Sequence, residues 1–277
     1  MRAAVVQMNS TVDVAANLEA AERLVAAAAR DGAAVVVLPE KWNLLGGGEE
    51  LRAGAEELDG PSISAARRWA RELGVVLVAG SFAERGEEKA FNTSVLIDEG
   101  GDVVATYRKI HMFDVEVGGV VYRESEHEEP GAEAVVADAG GLELGLTVCY
   151  DLRFPELYRI LAVRGARAFT IPSAFTTHTG RDHWEVLLRA RAIENQAFVL
   201  AAGQFGKAPP NYDSYGRSMI VDPWGIVLAA APDGEGFAAC ELDLAGQERI
   251  RRTLPSLANR RPEAYRWPEP VEAIGRG

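Results

Sequence analysis

Residues 17–43 read NLEAAERLVAAAARDGAAVVVLPEKWN, and the changes of character along this stretch decide the fold. Asn17 to Arg30 is rich in Ala, Leu, Glu and Arg, which lose little side-chain freedom in a helix, and Asp31-Gly32 supplies a C-terminal cap. The stretch therefore predicts a helix. Val35, Val36, Val37 and Leu38 follow as a continuous apolar run, which predicts a strand buried on both faces. Pro39 ends that strand and leaves Glu40 at its C-terminal end, where ligand crevices open in α/β folds. Taken alone, a glutamate here reads more readily as a solvated loop residue.

Similar runs recur outward from this stretch. RAAVVQM, GVVLVAGSF, FNTSVLID, GDVVATY, LELGLTV, RAFTIP, QAFVLAAG, YGRSMIVDPWG and GFAACELD all read as strands, and SISAARRWARELG, FPELYRILAVRG and RDHWEVLLRARAIENQ as helices. Helices and strands alternate in the first third, and hairpin-like strand pairs crowd the last third. The expected class is a layered α/β domain with mixed sheets. No fixed-period repeat or low-complexity linker divides the chain, so residues 1–277 are expected to form one domain. From about residue 255 the Pro-rich, polar tail is expected to run extended over a surface or across to a partner subunit. GGGEE, at 46–50, lacks the Gly-Lys-Ser/Thr of a phosphate loop and reads as a flexible surface loop.

Composition narrows the partner. Of 277 residues, 48% are hydrophobic and 25% charged, as in an ordinary globular protein, and 29 basic against 41 acidic side chains give a net charge of −12. Repulsion disfavours nucleic acid and anionic membrane, which points to a small-molecule partner. The apolar run Ala3–Val6 is far shorter than a signal-peptide core, and no segment approaches the ~20 apolar residues of a membrane span. A cytoplasmic location is the default expectation. Cys149 and Cys240 read as free thiols, and the four histidines show no zinc-ligand spacing, so no metal site is expected.

Cys149 lies in GLTVCYDLRFPELYR, where the strand LELGLTV meets a segment that turns into a helix through Pro155. A lone cysteine there is most often a small core hydrophobe, but a strand-to-helix elbow presents its residue to a cleft. Lys109, in ATYRKIHMFD, follows a strand and alone reads as a surface lysine.

Taken together, LPEKWN, YRKIHMFDVE and GLTVCYDLRFPELYR resemble the Glu, Lys and Cys motifs of the nitrilase superfamily of carbon–nitrogen hydrolases, in the same order along the chain. Glu40 and Lys109 are 69 residues apart, and Lys109 and Cys149 are 40 apart. ERGEEKAFNTSVLID, PSAFTTHTGRDHWEVLLRARAIENQ and VDPWG also look like family segments. The resemblance implies a four-layer α-β-β-α sandwich with two mixed sheets, and a homodimer or higher homo-oligomer in which helices of the two subunits pack together. It implies no cofactor. It also implies hydrolysis of an amide through a thioester on Cys149, with Glu40 as proton acceptor and donor and an oxyanion held by Lys109. The backbone N–H of Tyr150 is a second candidate oxyanion donor. The positive charge of Lys109 is expected to favour the thiolate. A second glutamate is implied between the Lys and Cys motifs; VVYRESEHEEPG offers Glu124, with Glu126, Glu128 and Glu129 as rivals in what reads as a solvated acidic turn. Glu124 is chosen, to hold Lys109 charged and oriented.

Within the superfamily, ATYRKIHMFDVE, CYDLRFPEL and HWEVLLRARAIE look most like the Nit-type branch, which contains ω-amidases and deaminated glutathione amidases. Their substrates carry a carboxylate beside a 2-oxo group. Arg153 resembles the branch's carboxylate-binding arginine, a role suited to its planar fork, and a structural salt bridge is the competing reading. Phe175 and Thr179 match positions that flank the substrate. Where ω-amidases carry a Tyr, this chain has Gly46, which leaves room for a longer substrate. An N-carbamoyl or aliphatic amide hydrolase, an acyl transferase, a papain-like enzyme using His178 or His183, and a silent scaffold remain as rivals.

Overall fold

A computed structural model describes residues 1–208, 210 and 212–265 of the protein. Six helices, α1 (Val14–Arg30), α2 (Gly48–Ala53), α3 (Pro61–Leu73), α4 (Pro155–Val163), α5 (Thr177–Asn195) and α6 (Leu244–Thr253), accompany two large mixed sheets.

The first sheet has eight strands. Gly236–Glu241, Arg2–Gln7, Val35–Val37, Val76–Val78, Ala90–Ile97 and Phe82–Glu84 lie side by side in that order, and Val103–Arg108 and Glu128–Glu129 also pair with Ala90–Ile97. Its centre is parallel because α1 and α3 return the chain across one face. The second sheet runs Val135–Asp138, Glu143–Leu146, Ala168–Ser173, Phe198–Gly203, Met219–Val221, Val227–Ala230; its parallel centre is crossed by α4 and α5.

The period of two in a strand explains the four layers. In Arg2–Gln7 the side chains of Ala4 and Val6 pack with Ala21, Leu24 and Val25 of α1 and Ile63 and Trp69 of α3. Ala3 and Val5 face the other way, into the core shared with Leu144, Leu146 and Val199 of the second sheet. Beyond that sheet, Phe169 meets Tyr158 of α4 edge-on with centroids 5.1 Å apart. Each such apolar side chain contributes ~2 kcal/mol by leaving water, which is why continuous apolar runs become central strands. At the first helix, the Asp13 side chain accepts from Ala16 N (3.1 Å), and Asp31 N–H closes the other end on Ala27 O (3.1 Å), the predicted cap.

Three expectations change. GGGEE is not a surface loop: Gly46 is buried, and Gly47 caps α2, whose first turn carries Glu49 and Glu50 where acidic side chains favour a helix start. The segment after 255 is not simply extended, since it makes a turn closed by Asn259 N to Pro255 O and a short 3-10 helix, Pro262–Ala264; residues 266–277 lie outside the described residues. The hairpin Asp114–Val117/Val120–Arg123 and helix α6 were not anticipated.

Candidate active site

Four strand ends from both sheets meet at one cavity. Glu40 follows Val35–Val37, Lys109 follows Val103–Arg108, Cys149 follows Glu143–Leu146 and Ala174 follows Ala168–Ser173. Each sits just past the C-terminal end of its strand; Glu40, Cys149 and Ala174 lie where the chain goes on to a helix, and Lys109 where it goes on to the hairpin Asp114–Val117/Val120–Arg123. The cavity encloses about 320 Å³ and is lined by Glu40, Lys41, Lys109, Glu124, Glu128 and Cys149, with Tyr150, Arg153, Phe175 and Thr179 on its wall. Its outer wall is the hairpin that the sequence did not reveal, through Val120, Tyr122 and Arg123.

Cys149 begins the 3-10 helix Cys149–Arg153 at φ 47°, a left-handed conformation that costs a non-glycine residue ~1 kcal/mol or more. Asp151 holds the elbow in place. One of its carboxylate oxygens accepts from Tyr107 Oη (2.7 Å) and Val148 N (2.9 Å), the other from His111 N (3.2 Å) and lies 2.7 Å from His111 Nδ1. With those bonds made, the strained elbow is one arrangement rather than several.

Glu40 is 3% exposed and fully engaged. Oε1 accepts from Asn92 Nδ2 (2.9 Å) and Lys109 Nζ (3.1 Å), and Oε2 from Ala174 N (2.7 Å). The Cys149 thiol lines the same cavity, where this carboxylate acts on it electrostatically. Lys109 is 1% exposed and donates to both oxygens of Glu124, at 2.8 and 2.7 Å, while Phe113 N donates to Glu124 at 2.7 Å.

These contacts set the charges. Burial pulls the Lys109 ammonium down, but the carboxylates of Glu124 and Glu40 outweigh it and hold Lys109 charged, well above its ordinary range. Burial pushes Glu124 up, and Lys109 and Lys41 more than offset it, keeping Glu124 ionised. The thiol behaves differently from expectation. Burial and then Glu40 push Cys149 well above the ordinary thiol range, and Lys109 offsets only part of this. Cys149 therefore rests as a neutral thiol beside a buried carboxylate, not as a preformed thiolate.

The remaining sequence candidates separate clearly. The Glu124 setting is not a solvated turn: its side chain is 10% exposed, and Glu128 beside it is 1% exposed and paired with Lys41 at 2.6 Å. Glu126 is exposed and Glu129 half-buried. The Arg153 guanidinium lies 3.2 Å from His183 Nδ1 and over the Phe175 ring at 5.0 Å; among the described residues its partners are that imidazole and the Phe175 and Tyr150 rings, none a carboxylate. Thr179 is bonded to Thr176 (2.9 Å). Gly46 does not face the cavity, because it packs on Val12 and Glu50; the space at that end comes from Gly47 and Gly48, the latter so close to the His127 ring that no side chain fits. Asn92, Lys41 and Asp151 were missed. The run Asn92-Thr93-Ser94 inside an otherwise apolar strand was the available signal for the first.

The comparisons agree with this arrangement. The carbon–nitrogen hydrolase family description matches residues 2–252. The deaminated glutathione amidase of Bos taurus is 43% identical over 271 residues, 95% of this chain and 82% of that protein. The NitFhit protein of C. elegans superposes with a TM-score of 0.90 at 38% identity, covering 96% of this chain and 66% of that one. A mutant of the amidase from Nesterenkonia sp. AN1, showing Michael addition of acrylamide at its active-site cysteine, superposes with a TM-score of 0.81 at 29% identity over 95% of this chain and 98% of that one. This chain belongs to the carbon–nitrogen hydrolase family, as its three motifs implied.

Proposed function

We propose that the protein hydrolyses the amide of a small 2-oxo acid, of the deaminated-glutathione kind, through a thioester on Cys149. The observation that carries this reading is one cavity that holds the buried Cys149 thiol together with a Glu40 carboxylate that is itself held by Lys109.

As sulfur attacks the amide carbon, the thiol proton passes to Glu40, so the thiolate exists only while the new bond forms. The carbonyl oxygen becomes an oxyanion, which Lys109 Nζ and the Tyr150 N–H stabilise; Tyr150 lies in the first turn of the 3-10 helix, where backbone donors lack intrahelical partners. Glu40 returns the proton to the departing nitrogen and the C–N bond breaks, leaving the acyl group on sulfur. Glu40 then takes a proton from an entering water, whose oxygen attacks the thioester, and the thiol is restored as the acid departs. Glu124 keeps Lys109 charged and aimed throughout.

Arg153 supplies the fixed positive charge for the substrate's carboxylate, with Phe175 and Thr179 flanking it. Support comes from a guanidinium on the cavity wall with no carboxylate partner among the described residues, in a protein of net charge −12. The space beside Gly47 and Gly48 admits a substrate longer than a simple ω-amide. The protein works as a homodimer in the cytoplasm. Val186 and Ile193 of α5, with Trp224 and Ile226, form an exposed apolar patch suited to a second copy, and a reducing compartment keeps the catalytic thiol and Cys240 free.

The test is product release from three substrates: deaminated glutathione, 2-oxoglutaramate and a neutral aliphatic amide. Efficient release of 2-oxoglutarate from deaminated glutathione is the expected outcome. Equal or better use of the neutral amide would reject the 2-oxo acid reading.

A further inference from the structure

The mechanism leaves one buried ion pair unused. Lys41 is 4% exposed and its Nζ lies 2.6 Å from Glu128 and 3.5 Å from Glu124; Glu128 is 2% exposed. Both residues line the cavity that holds Cys149. Two buried charges so far from water are costly unless their partners are well placed, so their position at this site calls for a reason. The backbone adds another observation. Lys41 adopts φ 53°, and its N–H is tied to Ser81 Oγ at 3.1 Å, a left-handed turn that sets the side chain of the residue directly after Glu40.

We infer that Lys41 and Glu128 are a second positioning pair for the reaction, with Lys41 clamping Glu124 Oε1, the oxygen that Lys109 also holds, and Glu128 balancing its charge. The inference rests on the reading of Glu124 as the group that aims Lys109.

The argument is one of alternating charge. Along the cavity floor the order is Glu40, Lys109, Glu124, Lys41, Glu128, each in contact with the next. Without Lys41, Glu124 and Glu128 would be two buried carboxyls with no cation between them, and Glu128 would hold a proton. Glu124 Oε1 would lose one of the two ammonium groups that fix it, and the Lys109 Nζ that Glu124 aims at the oxyanion would lose its fixed position. Glu128 is already balanced near this point: burial and Glu124 raise it against the pull of Lys41, to about 7. The charged and titratable groups around Glu124 are Lys109, Lys41, Glu128 and, beyond Lys109, Glu40 and Cys149; Arg123, Glu126 and His127 lie on its own segment.

The experiment compares Lys41→Met, which leaves Glu124 and Glu128 beside each other without their shared cation, with Lys41→Arg, which keeps the clamp's charge. The readouts are kcat and KM for deaminated glutathione across pH, and the rate at which acrylamide alkylates Cys149. Lys41→Met should lose about tenfold or more in kcat with KM nearly unchanged. The acid limb of its kcat/KM profile should move up by about one pH unit, because Glu124 loses a charge that keeps it ionised while Glu128 stays beside it. Alkylation should slow by a similar factor, and Lys41→Arg should keep the acid limb in place. A Lys41→Met variant with wild-type kcat and an unmoved limb, or a limb that moves equally in Lys41→Arg, would overturn the inference. A wild type that leaves deaminated glutathione intact, with alkylation still dependent on Lys41, would reject the proposed substrate and leave the positioning pair standing.

Discussion

The two cysteines are chemically the same residue in two different settings. Both thiols are pushed above their ordinary range, Cys149 by burial and Glu40, and Cys240 to about 11 by burial, partly offset by Arg2. Neither is a thiolate at rest. Cys240 sits in a regular antiparallel register opposite Ala3, and the nearby Arg2 is engaged with Asp31 at 2.6 Å. Cys149 sits on a strained elbow, in one cavity with the Glu40 carboxylate and an ammonium fixed between two carboxylates. The difference teaches that resting acidity does not single out Cys149. What singles it out is a buried carboxylate and a fixed cation in the same cavity.

The comparison breaks first if Cys149 is dispensable. Cys149→Ala should lower kcat on the order of 10^5-fold or more while leaving the thermal midpoint near wild type, since the whole covalent route depends on one sulfur. Turnover of the purified variant, with its melting curve, checks this; retained activity would remove the nucleophile assignment.

The next largest effects lie in the surroundings of the thiol. Glu40→Gln keeps the shape and removes the proton acceptor, and Lys109→Met removes the charged donor; each should cost roughly 10^2- to 10^4-fold in kcat. Single-turnover kinetics sharpen the contrast: Glu40→Gln should slow both thioester formation and its hydrolysis. Near wild-type rates for Lys109→Met would reduce the lysine to a structural counter-ion.

Further from sulfur the expected effect is selective. Arg153→Ala should shift the ratio of kcat/KM for deaminated glutathione over a neutral amide by about 30-fold, the equivalent of ~2 kcal/mol for a lost charge-assisted pair. Equal slowing of both substrates would make Arg153 a partner of His183 and the aromatic wall alone. The smallest effect belongs to the other thiol. Cys240→Ser should leave kcat within about twofold of wild type, because a hydroxyl fits a half-buried strand position with little change; a loss comparable to that of Cys149→Ala would mean the wrong cysteine was chosen.

Local signals placed Glu40 and Cys149 at strand ends, by Pro39 in one case and by the turn into Pro155 in the other, but alone each read as an ordinary residue, and the three ordered motifs singled them out. The four layers were implied by resemblance, and the continuous apolar runs were consistent with strands buried on both faces. Other parts depended on contacts distant in sequence. Nothing local marks Lys41 or Asp151: the first is paired by Glu128 and the second by Tyr107 and His111, all far from them in sequence. The glycines at 46–48 suggested a loose loop because their lack of side chains speaks against helix, whereas Gly46 packs on Val12 and Glu50 and Gly48 lets the His127 ring approach the start of α2 closely. Glu128 was among the rivals for Glu124, and only burial and pairing distinguish a carboxylate that holds Lys109 from one that holds Lys41.

The central claim is that a neutral Cys149 thiol gives its proton to Glu40 and carries the acyl group. The most direct test is to mix Glu40→Gln with deaminated glutathione, quench in acid at intervals and weigh the cysteine-containing peptides. The account predicts a mass increase on the Cys149 peptide matching the 2-oxo acyl group, slow to appear and slow to decay, with the Cys240 peptide unchanged. An adduct on Cys240, or product formed by Glu40→Gln at the wild-type rate with no adduct at any time, would contradict it.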